Sequence, residues 1–260
     1  MVKDKVTVII PLHEVTKESV SLLEKAIESI PEGVKTVVSV KKGTQKKSLP
    51  QGVGVISDSE STCFQELVNT AVAKVDTEWF SILEYDDTYT SIWEKNADEH
   101  MKELPDVSVF MFLQDMTDFN TEKYVAIGNE AAWASAFSDE IGYLDNESLQ
   151  SFFDFYPSGA IFNVSDWNAV GGLKPLIKAT HWYEWMLRAT RKGKKIYVIP
   201  KVGYNHTVHR EDSLSEIFSK EMSEKEIEWW FDIAKRDYFF DEEKDADYYT
   251  FKDNGEESVD

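Results

Sequence analysis

Apolar and polar residues alternate along the first third of the chain in blocks that match a repeated strand–helix order. Short apolar runs at 6–11, 36–40, 53–56 and 79–83 predict buried strands. Segments 17–30 and 64–75 carry apolar residues three or four positions apart, which predicts amphipathic helices. Parallel strands need crossover helices, so this order predicts an α/β fold: a mostly parallel central sheet flanked by helices.

The pattern continues less regularly through the rest of the chain. It predicts helices at 92–104, 182–190 and 213–236, and strands at 107–113, 160–164 and 196–200. The stretch 115–155 is aromatic but poorly periodic, so an insertion with short helices is expected near 115–157, with contacts to substrate. We therefore predict a main domain at 1–210 and a helical, acidic extension at 211–260.

Three carboxylates follow the fourth predicted strand within four positions: Glu84, Asp86 and Asp87. Carboxylates held that close repel one another unless a positive charge lies among them. Mg²⁺ and Mn²⁺ favour carboxylate oxygens, so the element predicts a divalent metal site. An acidic, solvated turn is the alternative interpretation.

Ligands of open α/β sheets bind beyond the carboxyl ends of the strands. Besides the acidic element, residues at the carboxyl ends of three predicted strands are expected to line one crevice, and all of them except a proline are polar. They are Pro11, His13, Glu14, Lys41, Lys42 and Asp58. The sequence has neither a GxGxxG nor a GxxxxGK[ST] motif, which counts against a Rossmann dinucleotide site and a P-loop.

The composition limits the classes of binding partner that are expected. The 260 residues hold 48 acidic and 28 basic side chains, for a net charge of −20. Such a field repels nucleic acid and anionic membranes at long range, although a local basic patch could still bind nucleic acid. Cys63 is the single cysteine, and no apolar run approaches the ~20 residues of a membrane span. A soluble, cytoplasmic protein without a membrane insertion is expected.

The order of these pieces resembles the family 2 glycosyltransferases, which have the GT-A (nucleotide-diphospho-sugar transferase) fold. The resemblance covers about residues 6–210. Residues 8–11 resemble the opening strand, Asn69 a recurrent asparagine, and 83–87 the "DxD" element. Residues 170–173, with Gly171 and Gly172, resemble the "vGGf" turn. Arg188 and 193–200 resemble the closing helix and strand, and 204–206 the terminal "Y-x-H".

This resemblance implies a metal-dependent transfer of a sugar from a nucleotide-sugar donor, UDP-linked, with inversion. It implies that Asp86 binds Mn²⁺ or Mg²⁺, with Glu84 toward the ribose or the metal and Asp87 assisting. His206 or His209 would complete the site, although either histidine could equally be an ordinary surface residue. Asn69, Gly171, Gly172, Trp182 and Arg188 would contact substrate.

Two positions depart from the family. The Glu-Asp pair that supplies the general base is replaced by His181 and Trp182. Glu184, two positions later, is our first choice of base and His181 the second; a helix N-terminal acid is the alternative reading of Glu184. Lys41 and Lys42 stand where the family has an Asp-Asp pair, of which one aspartate reads the nucleobase, and lysine cannot accept hydrogen bonds from the base. The two lysines could contact phosphate instead, or the base could be read by other residues.

Those departures leave a second function open: a catalytically degenerate GT-A domain that binds a sugar or a partner. A nucleotidyltransferase of similar fold is disfavoured, because no glycine-rich basic loop lies near 11–20. The acceptor is not identified by the sequence.

Overall fold

A computed structural model describes residues 2–50 and 55–237. The elements of its first half alternate between helix and strand, as predicted. They are α1 (Val2–Lys5), β1 (Val6–Pro11), α2 (Lys17–Glu28), β2 (Lys35–Lys41), β3 (Val55–Ser59), α3 (Phe64–Val72), β4 (Trp79–Ile82), β5 (Thr88–Tyr89) and α4 (Trp93–Glu103).

The second half has longer strands and less regular connections. Its elements are β6 (Val109–Asp118), β7 (Tyr124–Gly128), β8 (Tyr143–Leu144), α5 (Asn146–Ser151), β9 (Ile161–Asn163), α6 (Val164–Val170), α7 (His181–Arg191), β10 (Ile196–Val208), α8 (Leu214–Glu221) and α9 (Glu224–Asp237). Short 3₁₀ turns lie at Lys46–Ser48 and Glu130–Trp133.

The described strands form one sheet in the order β3-β2-β1-β4-β9-β6-β10-β5, with β7 on β6 and β8 on β10. The part made by β3, β2, β1 and β4 is parallel. Strand β9 then lies antiparallel between β4 and β6, and β6 pairs in parallel with β10. The α/β fold is therefore confirmed, with the parallel pairing concentrated in the first half of the chain.

Both faces of the sheet are covered. Val8 and Ile10 pack into one apolar cluster, whereas Ile9 between them packs into another on the opposite face. All three side chains are fully buried. Burial on both faces explains why β1 reads as a continuous apolar run instead of an alternating one.

Three regions differ from the pattern-based prediction. Strand β10 continues to Val208, past Pro200, by means of register shifts against β6. Segment 115–155 contains the β6–β7 hairpin besides short helical turns, because β6 extends to Asp118. The predicted helix at 213–236 is two helices, α8 and α9, separated near Met222.

Some predictions fall outside the described residues. The first half of the strand at 53–56 and the acidic segment from 238 to 260 lie there, so the boundary proposed at 210–211 stays a prediction. Within the described part of the chain, no helix combines the length and the apolar character that crossing a bilayer requires.

Candidate functional site

The three carboxylates of the acidic element lie together beyond the end of β4. The backbone turns at once, because the amide of Asp87 donates to the carbonyl of Glu84 over 3.1 Å. The turn brings the carboxylates of Glu84, Asp86 and Asp87 close enough for their charges to affect one another. The Asp86 and Asp87 side chains are only 8% and 1% exposed.

Strand β10 supplies the partners of Asp87. His206 Nδ1 lies 2.8 Å from one carboxylate oxygen, and the amide of Thr207 donates to the other over 2.7 Å. Burial alone would lower the pKa of His206, but the charge of Asp87 and its hydrogen bond raise that pKa to about 9. With no metal bound, these contacts favour the charged form of His206, and a metal that binds the imidazole nitrogen would displace its proton.

Glu84 is held from two sides. The Ser158 hydroxyl donates to its carboxylate, and its own amide donates to the Tyr204 hydroxyl over 3.1 Å. Burial, with the negative charge of Asp87, raises the pKa of Glu84 to about 7. The surroundings of Glu84 therefore disfavour the ionised form of its carboxyl group.

The geometry fits a divalent cation. One possible ligand atom each from Glu84, Asp87 and His206 lies within 4.8 Å of the others. Two carboxylate oxygens and an imidazole nitrogen suit Mn²⁺, whereas Mg²⁺ prefers oxygen ligands. The donor set thus fits a metal, with Mn²⁺ the better match.

Asp86 has a different partner, Arg210, which the sequence analysis missed. Arg210 Nε lies 2.8 Å from the Asp86 carboxylate, and its Nη2 donates to the Tyr85 hydroxyl over 2.7 Å. Arg210 also pairs with Asp212. Burial and the charge of Asp87 still raise the pKa of Asp86 to about 6. The available signal was a lone arginine four positions after His206.

These groups form one end of a cavity of about 470 Å³. Its other end is reached by the start of α7 and by the last two helices of the described chain. Eight of the residues predicted from sequence line it: Pro11, His13, Glu84, Asp86, His181, Trp182, His206 and His209. A volume of this size suits a small organic ligand.

His181 faces the cavity with a defined tautomer. Its Nδ1 lies 2.8 Å from the carbonyl of Lys178. A carbonyl only accepts, so Nδ1 carries the proton and Nε2 keeps a free electron pair. Burial lowers the pKa of His181 to about 4, which keeps the ring neutral. Phe64 packs beside it, with ring centroids 5.3 Å apart.

Glu184 does not line this cavity. Its side chain is fully buried, and both of its oxygens accept from Arg188, over 2.8 and 2.9 Å. Lys174 Nζ lies 3.4 Å from the same carboxylate. The remaining guanidinium hydrogens of Arg188 go to the carbonyls of Val170, Gly171 and Gly172. The structure thus gives Glu184 the contacts of an ion pair that holds a turn.

Asn69 on α3 forms hydrogen bonds to the same turn. Its amide nitrogen donates to the carbonyl of Leu173 over 2.7 Å, and its oxygen accepts from the Leu173 amide over 2.9 Å. A Cβ at Gly172 would lie 2.3 Å from that oxygen, so only glycine fits there. Five residues predicted as catalytic or substrate-binding therefore gather in a second cluster: Asn69, Gly171, Gly172, Glu184 and Arg188.

Other predicted residues lie away from the cavity. Lys41, Lys42 and Asp58 are exposed at the ends of β2 and β3, and Lys42 pairs with Glu60 over 2.6 Å. None of the three lines the cavity. The structure does not bring them to the acidic element.

His13 and Glu14 lie beside the arginine. The His13 ring lies 5.4 Å from that of Tyr85, and burial and then Arg210 lower its pKa. Burial and then Asp212 raise the pKa of Glu14, which is not a lining residue.

His209 reaches the cavity but pairs elsewhere. It has a φ of 60°, and its Nδ1 lies 2.9 Å from Asp118 in a pair that is 55% exposed on the histidine side. His209 is not part of the Glu84, Asp87 and His206 cluster.

Comparison with known proteins identifies solved structures of similar fold. No family model matches the chain. No curated protein matches it either. Solved structures of S. aureus TarS do. Fragment 1–349 in complex with UDP-GlcNAc has a TM-score of 0.58 at 16% identity, over 81% of this chain and 60% of that one. The same fragment with UDP gives 0.56 at 17%, over 95% and 75%.

These similarities show a shared fold. The chain has a central sheet flanked by helices, as in its glycosyltransferase structural neighbours. It spans about 60% of fragment 1–349 of TarS in the alignment with the UDP-GlcNAc complex. At this identity, the activity is not transferred with the fold.

Proposed function

We propose that this protein is a glycosyltransferase that uses a UDP-linked sugar and transfers the sugar to an acceptor hydroxyl with inversion. The observation that carries the proposal is the acidic cluster of Glu84, Asp86 and Asp87 at the edge of the cavity, in a glycosyltransferase fold. The TarS complexes with UDP and UDP-GlcNAc support this class of donor.

Glu84, Asp87 and His206 would hold Mn²⁺ or Mg²⁺. A bound divalent cation would neutralise the charge that develops on the departing diphosphate. Asp86 faces the same cavity and stays a predicted ligand, with Arg210 competing for one of its oxygens. Arg210, buried and paired, keeps this edge of the site from carrying three uncompensated negative charges.

His181 is the base that the cavity favours. In the transfer, the acceptor oxygen bonds to the anomeric carbon on the face opposite the diphosphate. The bond from that carbon to the diphosphate oxygen breaks, and its electron pair leaves with the diphosphate. The acceptor proton passes to the unprotonated Nε2 of His181, a residue that lines the cavity. Glu184, our first choice from the sequence, is occupied by Arg188.

A donor screen tests the proposal. Thermal shift would be measured with UDP, UDP-GlcNAc and other UDP-sugars, with and without Mn²⁺. The true donor raises the melting temperature in a metal-dependent way, since a ligand that binds only the folded state stabilises it. No metal-linked shift with any of these nucleotides would contradict the proposal.

A pair of variants locates the metal. Asp87→Asn should abolish the Mn²⁺-dependent shift, because it removes a ligand charge from the cluster. Asp118→Asn is the matched control: it also alters an Asp–His pair, but an exposed one outside the cluster. Equal effects of the two substitutions would remove the assignment of Asp87.

A binding module without catalysis is the second candidate. The observation that favours it is the burial of Glu184 in an ion pair, which leaves no carboxylate at the family's base position. Donor hydrolysis and transfer assays separate the two. A metal-dependent shift with UDP-GlcNAc but no turnover on any acceptor would favour the binding module.

A further inference from the structure

The cavity has a second end that the donor does not explain. Leu214 and Phe218 of α8 and Phe231 of α9 line it, far along the chain from the acidic element. Phe153, from the segment that joins α5 to β9, lines it as well. Residues outside the sheet thus build this end.

Three aromatic rings from separate elements meet there. The rings of Phe153 and Phe231 lie 4.1 Å apart, and Tyr183 of α7 lies 5.7 Å from Phe231 and 5.9 Å from Phe153. Phe153 is 43% exposed although it belongs to this cluster. An aromatic cluster with an accessible face can bind a planar, apolar group by ring contacts.

The charges at the aromatic end of the cavity disfavour an anionic occupant there. Asp154 follows Phe153 in the chain and Glu216 lies on α8, and both line the cavity. The lining cation Arg210 is already paired with Asp86 and Asp212. Lys235 lies 5.9 Å from the Phe153 ring but is not among the lining residues. A phosphate or sulfate placed at this end would meet carboxylates.

We infer that the aromatic end of the cavity is the acceptor subsite, and that it takes an uncharged acceptor with an aromatic ring next to the reactive hydroxyl. The inference rests on the proposed function, because a sugar donor at the acidic end is what makes the opposite end an acceptor subsite. It adds the chemical class of the acceptor.

Three glucosides with the same sugar test the inference. Binding of phenyl β-glucoside, methyl β-glucoside and methyl β-glucoside 6-phosphate would be measured by calorimetry on the full chain with UDP and Mn²⁺ present. The phenyl compound should bind about three- to tenfold more tightly than the methyl compound. The phosphorylated compound should bind more weakly than either.

Two neighbouring phenylalanines provide a matched pair of variants. Phe153→Ala should remove the preference for the phenyl compound while UDP affinity is unchanged. Phe152→Ala is the control, since Phe152 is 38% exposed but does not line the cavity. Both side chains are partly exposed, so neither substitution should prevent folding.

The outcomes separate the two proposals. UDP binding with equal affinity for the phenyl and methyl compounds overturns the acceptor class and leaves the proposed function standing. Tighter binding of the 6-phosphate also overturns it. Absence of UDP binding overturns the proposed function, and the acceptor assignment with it.

Discussion

Two buried groups of charges, one around Glu184 and one around the acidic element, balance charge in opposite ways. Around Glu184, one carboxylate faces two cations, Arg188 and Lys174. Around the acidic element, three carboxylates share two cations, His206 and Arg210. The first group has more positive than negative charge, and the second has more negative than positive.

This difference separates a structural role from a binding role. All five N–H groups of the Arg188 guanidinium are occupied by Glu184 and three carbonyls, so this side chain has no hydrogen left to donate to a ligand. In the acidic element, burial and then the negative charge of Asp87 raise the pKa values of Glu84 and Asp86 to about 7 and 6. Three carboxylates there face only two cationic side chains. A divalent cation would supply what is missing.

The largest effect is expected from breaking the first group. Arg188→Ala leaves Glu184 buried without its main partner, and the free energy of unfolding should fall by about 3–5 kcal/mol. The measurement is chemical denaturation monitored by tryptophan fluorescence. Lys35→Ala, which removes an exposed pair with Asp76, should cost less than about 1 kcal/mol. A loss of similar size in both variants would contradict a structural role for Arg188.

Neutralising Glu84 in the second group should raise the free energy of unfolding, whereas breaking the first group should lower it. The pKa of Glu84 is raised in the folded state, so its ionisation opposes folding. The metal-free protein should therefore gain stability from this group as pH falls from about 7 to 4.5, by ~1–3 kcal/mol. Glu84→Gln should remove that pH dependence.

The same variant should weaken Mn²⁺ binding by at least about tenfold, because a ligand charge is lost. Denaturation at several pH values and a Mn²⁺ titration check both effects. An unchanged Mn²⁺ affinity would show that Glu84 is not a ligand. Glu130→Gln, in a 3₁₀ turn and outside the Glu84, Asp87 and His206 cluster, serves as the control.

A substitution at Arg210 tests the charge balance around the acidic element. Arg210→Gln removes a cation from a group already rich in negative charge, so Mn²⁺ affinity should rise by about tenfold. Stability should fall by about 1–3 kcal/mol, since hydrogen bonds to Asp86 and Tyr85 are lost. Arg236→Gln on α9 is the control. Weaker metal binding in Arg210→Gln would mean that Arg210 supports the site instead of competing for it.

The smallest effect is expected at His209. His209→Asn replaces an exposed side chain with a residue that tolerates positive φ, so stability should change by less than about 0.5 kcal/mol. Mn²⁺ affinity should stay the same. A tenfold loss of affinity would restore His209 as the metal ligand that the sequence predicts.

The first half of the fold is predictable because its strands are buried on both faces and read as apolar runs. The full length of strand β10 is not predictable, because Pro200 and Gly203 interrupt its apolar pattern. Its pairing with β6 continues beyond both residues. The α8–α9 break lies within a stretch whose apolar residues fit a single helix about as well.

In the candidate site, the acidic element is predictable because its three residues are neighbours in sequence. Arg210 is not, because its partner Asp86 lies 124 positions away. The role of Glu184 had a local signal: Arg188 follows it by four positions on a helix, which is the spacing of an intrahelical ion pair. The resemblance to a family with a base nearby outweighed that signal.

One amide of β10 joins the sheet to the chemistry of the site. Strand β10 is paired with β6 from Ile196 to Val208, and the Thr207 amide donates to Asp87 at the far end of that pairing. Its hydrogen can exchange with solvent only when β10 separates or when Asp87 turns away. By contrast, α8 has no buried residue, so its amides should exchange early. The exchange rate of the Thr207 amide hydrogen therefore reports how long the Asp87 carboxylate keeps its position.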